Sequence, residues 1–140
     1  MKNNMNMIQE DRELLLKDLS ARLPYGVKVI ERSVIIQTLH SLENAGKTWY
    51  VNPLHEEHGN ISPLSTPIEE CKPYLRSMES MTEDEQRTLD SMCNGVEMVS
   101  RLSGLKMFDK AFDWLNAHHF DYRGLIEKGL ALESTEGMYD

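Results

Sequence analysis

The chain has 140 residues, 40% of them hydrophobic and 27% charged, with 23 acidic against 15 basic side chains and a formal charge of −8. That length suffices for one ordinary domain with a core of its own, and the composition excludes a disordered chain of low hydrophobicity. The negative balance and the absence of clustered Lys and Arg argue against a nucleic-acid binder, and no apolar run approaches the roughly 18 residues of a membrane span. A cytoplasmic protein without a membrane segment is the expectation.

In chain order, residues 1–6 are expected to fray. Ile8, Leu15, Leu16, Leu19 and Leu23 then recur at helical spacing, and Pro24 stops the helix they define. After the Pro24-Tyr25-Gly26 turn, Tyr25 to Ile30 alternates loosely and carries β-branched residues, which reads as a strand. Ser33 to Leu42 satisfies both periods. The strand reading is chosen because Glu43 to Lys47 is a short Asn/Gly turn and Thr48-Trp49-Tyr50-Val51 is a strongly β-prone hairpin partner. Asn52 to Pro67, with three prolines and two histidines, is expected to be a surface loop. Ile68 to Met78 would add a short edge strand or an extended segment, because Pro73 lacks a ladder donor.

Thr82-Glu83-Asp84-Glu85 has the form of a capping box, so a helix starts there, with Leu89, Met92, Cys93, Val96 and Val99 as its inner face. Asn94-Gly95 would bend or end it, and Ser103-Gly104 would close the segment. A further helix is expected from Lys106 to Phe120, burying Phe108, Ala111, Phe112 and Leu115. His119 falls on the same face, as a hydrogen-bonded core histidine. A short helix or turn from Tyr122 to Leu132 would add Leu125, Ile126, Leu130 and Leu132, and 133–140 reads as a flexible polar tail.

The fold class is therefore α+β over one domain, 1–140. It comprises an N-terminal helix, a small antiparallel sheet within about 25–76, of which an SH3-like sheet is one form, and a helical half over about 82–132. Cys71 and Cys93 stand in no metal-ligand pattern and read as reduced thiols.

Residues with chemical potential concentrate between Phe112 and Leu132. His118 and His119 point about 100° apart on a helix and cannot easily share an ion. Asp121 is a natural cap at a helix boundary, with Arg123 pairing an acid on the surface. His55-Glu56-Glu57-His58 has its histidines three apart rather than four and no helix to carry them, so no metal is assigned. Trp49 and Tyr50 face opposite sides of a strand, leaving one available to a partner. The binding candidates are Trp49, Tyr50, Trp114, His118, Asp121, Tyr122 and Arg123; no catalytic residue and no cofactor is assigned.

The runs Leu14 to Leu19, Ala21 to Lys28, Lys72 to Arg76, Ser80 to Thr82 and Trp114 to Ile126, the last reading WLNAHHFDYRGLI, together with GLALE and EGMY, resemble an uncharacterised family of small proteins from gut anaerobic bacteria and their phages. The resemblance covers both ends, with a variable middle from about Val29 to Glu70. It implies a short protein of phage or mobile-element origin, helical at both ends around a small β region, and transfers no functional residue. Where that family often has Pro-x-Ser-Ser-Met-Thr, this chain has Ser77 to Thr82, and the EAPEGMY-like tail is here Glu133 to Tyr139.

Three functions follow as expectations. The first is a non-enzymatic interaction module of a phage or mobile element, binding a host or phage protein through the β region and an acidic surface. The second is a small-molecule binder capturing a nucleotide-like ligand with Trp114, His118, Tyr122 and Arg123. The third is a hydrolase using His118 or His119 with Asp121. No oligomeric state is assigned.

Overall fold

The fold was taken from a computed structural model, which describes residues 7–32, 35–46, 48–55, 60–61, 66–94 and 100–140. It is an α+β arrangement: an N-terminal helix, a mostly antiparallel sheet and two later helices. No helix among the described residues is long and apolar enough to cross a membrane.

Helix α1 spans Gln9–Arg22, with Glu10 and Asp11 at its positive end and Arg22 in its last turn. It stops where Pro24 cannot continue it, in a 3-10 turn over Leu23–Tyr25, and Gly26 takes the left-handed backbone (φ +69) that releases the chain into the sheet. Its inner face is Leu15, Asp18, Leu19 and Arg22, so the expected apolar stripe contains a buried ion pair. Ile8, assigned to that stripe, is instead 57% exposed, because it stands at the N-cap position before the helix turns inward.

Strands β1 (Lys28–Glu31), β2 (Ile35–Ala45) and β3 (Thr48–His55) form an antiparallel meander. The hairpin turn is shorter than the expected Glu43–Lys47, because Glu43 and Asn44 pair with Tyr50 and Trp49. Gly46, at φ +74, supplies the positive φ that a tight primed turn needs. The Asn52–Pro67 loop is also shortened. β3 runs on to His55, and β4 (Asn60–Ile61) and β5 (Thr66–Pro67) both pair with it. Residues 56–59, including most of the His55-Glu56-Glu57-His58 run, lie outside the described residues.

A 3-10 turn over Ile68–Glu70 leads to β6 (Cys71–Leu75), which pairs antiparallel with β1. The sheet order is β4-β3-β2-β1-β6-β7, where β7 is the parallel pair Leu132–Glu133. β6 is therefore not the edge strand that Pro73 suggested. Pro73 sits opposite Val29, and the far side of β6 is covered by residues from the end of the sequence. The main core joins Leu15 and Leu19 of α1 to Val27, Val29, Leu39, Val51, Ile68, Cys71 and Leu75 of the sheet region and to Leu125, Leu130 and Ala131. Full burial of each large aliphatic side chain is worth about 1.5–3 kcal/mol. Cys71 is buried and Cys93 half-buried, and both are free thiols.

Helix α2 (Glu83–Cys93) begins at the expected capping box. The Thr82 hydroxyl accepts from the Glu85 amide, and the Glu85 carboxylate accepts from the Thr82 amide. It ends at Asn94, whose extended backbone breaks the helix there. Leu89, Met92 and Cys93 are only half-buried, while Val96 and Val99 lie outside the described residues.

Helix α3 (Arg101–Ala117) corrects three expectations. Ser103-Gly104 does not close a segment but lies in the first turn, because the Ser100 hydroxyl caps the helix by accepting from the Ser103 amide. Its buried face is Gly104, Ala111, Leu115 and Asn116, so Phe108 (41% exposed) and Phe112 (46%) are displaced from the core. The helix also ends before Phe120, in a reversal described below. From Tyr122 onward the chain forms turns rather than a helix, and Leu125 and Leu130 are nonetheless buried.

Candidate functional site

The end of α3 is built as a Schellman reversal: the Phe120 amide donates to the Leu115 carbonyl, and the His119 amide to that of Asn116. The reversal puts His119 at the left-handed position that glycine usually occupies, and its φ is +65. A side chain there costs on the order of 1 kcal/mol. The strain aims the backbone of 119–121 at the sheet. The Arg76 amide donates to the His119 carbonyl (2.7 Å) and the Asp121 amide to the Arg76 carbonyl (2.8 Å), extending β6 by one bridge to Phe120.

The His119 imidazole is 7% exposed and stacks on Tyr139, with centroids 3.6 Å apart and planes 15° from parallel. Its Nδ1 has no hydrogen-bond partner among the described residues, which departs from the satisfied core histidine expected. Burial, with Arg22, His118, Arg76 and Lys28 nearby, holds its pKa down at about 4, so the ring is neutral near pH 7. The Tyr139 hydroxyl donates to the Tyr74 carbonyl (2.7 Å) and accepts from the Lys28 amide (2.9 Å). The Ser134 amide donates to the Leu75 carbonyl (2.7 Å). The expected flexible tail 133–140 is thus stitched to the sheet, because β6 offered unpaired backbone groups and the segment carries a tyrosine that satisfies one group of β6 and one of β1.

These contacts frame an open cleft of about 660 Å³ lined by Arg76, Ser80, Thr82 and Glu85, by Ala117, His118 and His119, and by residues 133–140. Arg76 is committed: both guanidinium Nη atoms donate to Glu85 at 2.8 Å, and its plane lies 4.1 Å from the Phe120 ring centroid. The paired guanidinium holds the Glu85 carboxyl down at about 2. Glu133, Glu136 and Asp140 also line it, are exposed and form no ion pair among the described residues. The cleft's uncompensated charge is negative. No group of three or more potential metal-ligating side chains occurs among the described residues.

Of the binding candidates, only His118 lines this cleft. Its Nδ1 donates to the Trp114 carbonyl (2.9 Å). Trp114 stacks with His118 (centroids 4.3 Å apart) and with Phe120 (5.8 Å), so its ring is engaged by two neighbours. Asp121 accepts from the Leu125 amide (2.8 Å) and the Ile126 amide (2.9 Å), capping a turn instead of holding either imidazole. Trp49 packs against the core and Tyr50 faces Pro67, both in β3, two strands removed from β6.

Arg123 does not pair a surface acid. It donates from Nη1 to Asp18 (2.8 Å), which is fully buried, while Arg22 Nε donates to the other Asp18 oxygen (2.8 Å). Arg22, itself fully buried, also donates from Nη2 to the Phe120 carbonyl (2.6 Å). Both guanidinium groups lie beside the Tyr122 ring, at 5.6 and 4.6 Å, and the Tyr122 hydroxyl donates to Asn116 (3.2 Å). Tyr122 and Arg123 therefore bind α1 to the corner and do not converge with Trp114 and His118 on a ligand. The cleft residues absent from the sequence candidates include Arg76, Glu85, Glu133, Glu136, Tyr139 and Asp140, and His119 entered as a site residue only in the hydrolase reading. A lone aromatic following the Gly137 turn was the available signal that this tail is anchored.

No family model, no curated protein and no solved structure matches the chain.

Proposed function

We propose that this chain is a non-enzymatic interaction module, an accessory protein of a phage or mobile element acting in the cytoplasm, which takes a basic segment of a host or phage protein into the cleft beside His119. The origin rests on the resemblance of the Trp114 to Ile126 run. The binding reading rests on one observation: the cleft's cation, Arg76, is already neutralised by Glu85, whereas Glu133, Glu136 and Asp140 face it unpaired. Such a concave acidic wall attracts Lys and Arg side chains and repels phosphates and carboxylates. Against the nucleotide-like alternative, Trp114 already stacks with His118 and Phe120, and Arg123 is bound to Asp18.

The test is fluorescence anisotropy of a short labelled Lys/Arg peptide titrated with the protein at low salt. Neutralising the wall (Glu133→Gln, Glu136→Gln, Asp140→Asn) is expected to weaken binding roughly tenfold, an effect screened by salt. Neutralising Glu10 and Glu13, exposed on α1, is expected to change it little. Equal losses in both variants, or no binding by the wild-type chain, would refute the cleft as the site.

A further inference from the structure

Helix α3 carries an apolar seam that nothing among the described residues covers. Leu102 is 62% exposed, Leu105 67%, Phe108 41% and Phe112 46%. They follow one another at three- and four-residue steps along a flank of the helix that borders its buried face of Gly104, Ala111, Leu115 and Asn116. Phe112 is fixed against Tyr122, with centroids 5.2 Å apart, so that end of the seam is anchored on the corner. Scattered exposed hydrophobics are ordinary, but four large ones in a row on one helix mark a contact surface.

We infer that the seam is the interface of a two-fold dimer in which α3 packs antiparallel against α3 of a second copy. The charge order along the helix selects this occupant. Arg101 and Lys106 lie toward its start, Asp109 and Asp113 toward its end, with Lys110 between the two acids. Antiparallel pairing sets the basic half of each helix against the acidic half of the other and opposes the helix dipoles; parallel pairing sets like charge against like. The register is self-consistent. Arg101 precedes Leu102 by one residue and Asp113 follows Phe112 by one, so the alignment that sets Leu102 level with Phe112 of the second copy also sets Arg101 level with its Asp113 along the helix axis. In a molecule of charge −8, this helix holds Arg101, Lys106 and Lys110 against Asp109 and Asp113, a net of +1, so it is a surface on which two copies meet without the repulsion of the rest. One helix pair buries less than the roughly 1,200–2,000 Å² of a standard stable interface, so the association is expected to be reversible and concentration-dependent.

Sedimentation equilibrium of the full chain over a concentration series tests this. The expected result is a mass rising from the 16.2 kDa of one chain toward twice that value. Leu105→Glu, at an exposed site that leaves the helix its folding contacts, is expected to return the monomer mass with an unchanged circular dichroism spectrum. Arg101→Glu and Asp113→Lys are each expected to weaken the dimer severalfold, and together to restore it, since the double variant regains the opposed pair in reversed sense. A wild-type chain monomeric throughout would overturn the inference, as would a dimer indifferent to Leu105→Glu or a double variant weaker than either single one. The cleft lies outside this surface, and Leu105→Glu should leave peptide binding per chain intact.

Discussion

His119 combines a left-handed backbone, a buried ring and an unpartnered nitrogen at the one point where α3, β6 and Tyr139 meet. Three neighbours hold it there: Arg76 through its amide, Tyr139 through its ring and Asn116 through the reversal. A pH dependence follows. In the unfolded chain the imidazole titrates near its ordinary value of 6.5, while in the fold burial holds it at about 4. The unfolded state therefore binds more protons below pH 6.5, and stability is expected to fall as the pH drops from there to about 4. Glu85, held at about 2, adds its own loss only below the ordinary 4.5 of a glutamate, so the upper part of the window belongs to His119. His119→Asn keeps a residue that tolerates left-handed backbone, and urea denaturation should show its slope between pH 6.5 and 5 flattened. Parallel slopes in the two proteins would refute this. The histidine was visible in the sequence as an apolar-face residue; its strain was not, because no glycine marks the reversal.

Helix α1 is joined to the corner by charge as well as by leucines. Asp18 is enclosed with Arg22 and Arg123, so Asp18→Asn leaves two guanidinium groups without their counter-charge, one of them fully buried. The expected cost is about 3–5 kcal/mol of unfolding free energy in urea. Replacing all three, as Asp18→Leu, Arg22→Met and Arg123→Leu, should cost much less than the single change, because no uncompensated charge remains. A triple variant as unstable as Asp18→Asn would mean that the side chains' shapes, not their charges, matter. The elements differ in how much of this the sequence disclosed. The Thr82 capping box was legible because all its partners lie within one turn. The β2–β3 hairpin was legible because β propensity surrounds an Asn/Gly turn. By contrast, Asp18 and Arg22 stand four apart like any solvent-facing helix pair, and only Arg123, 105 residues on, makes them a buried site.

Across the whole molecule, the last residues of the sequence complete the sheet. β7 and the Ser134 amide satisfy the outer side of β6, the Tyr139 hydroxyl bridges Lys28 of β1 and Tyr74 of β6, and together they fix the acidic wall of the cleft. A polar segment containing a two-residue strand gives no periodicity to read, and its partners Lys28, Tyr74 and Leu75 lie far away in the chain. That is why the tail, and with it most of the cleft, was missed while the α+β class was not. The most direct test of this arrangement is amide hydrogen exchange of the wild-type chain beside Tyr139→Phe. The Lys28 amide is expected to be strongly protected in the wild type. It should lose protection selectively in the variant, with a stability loss of about 1–3 kcal/mol for the two backbone groups left without the hydroxyl. A Lys28 amide that exchanges freely in the wild type, or is equally protected in both proteins, would contradict the anchored tail and the cleft it builds.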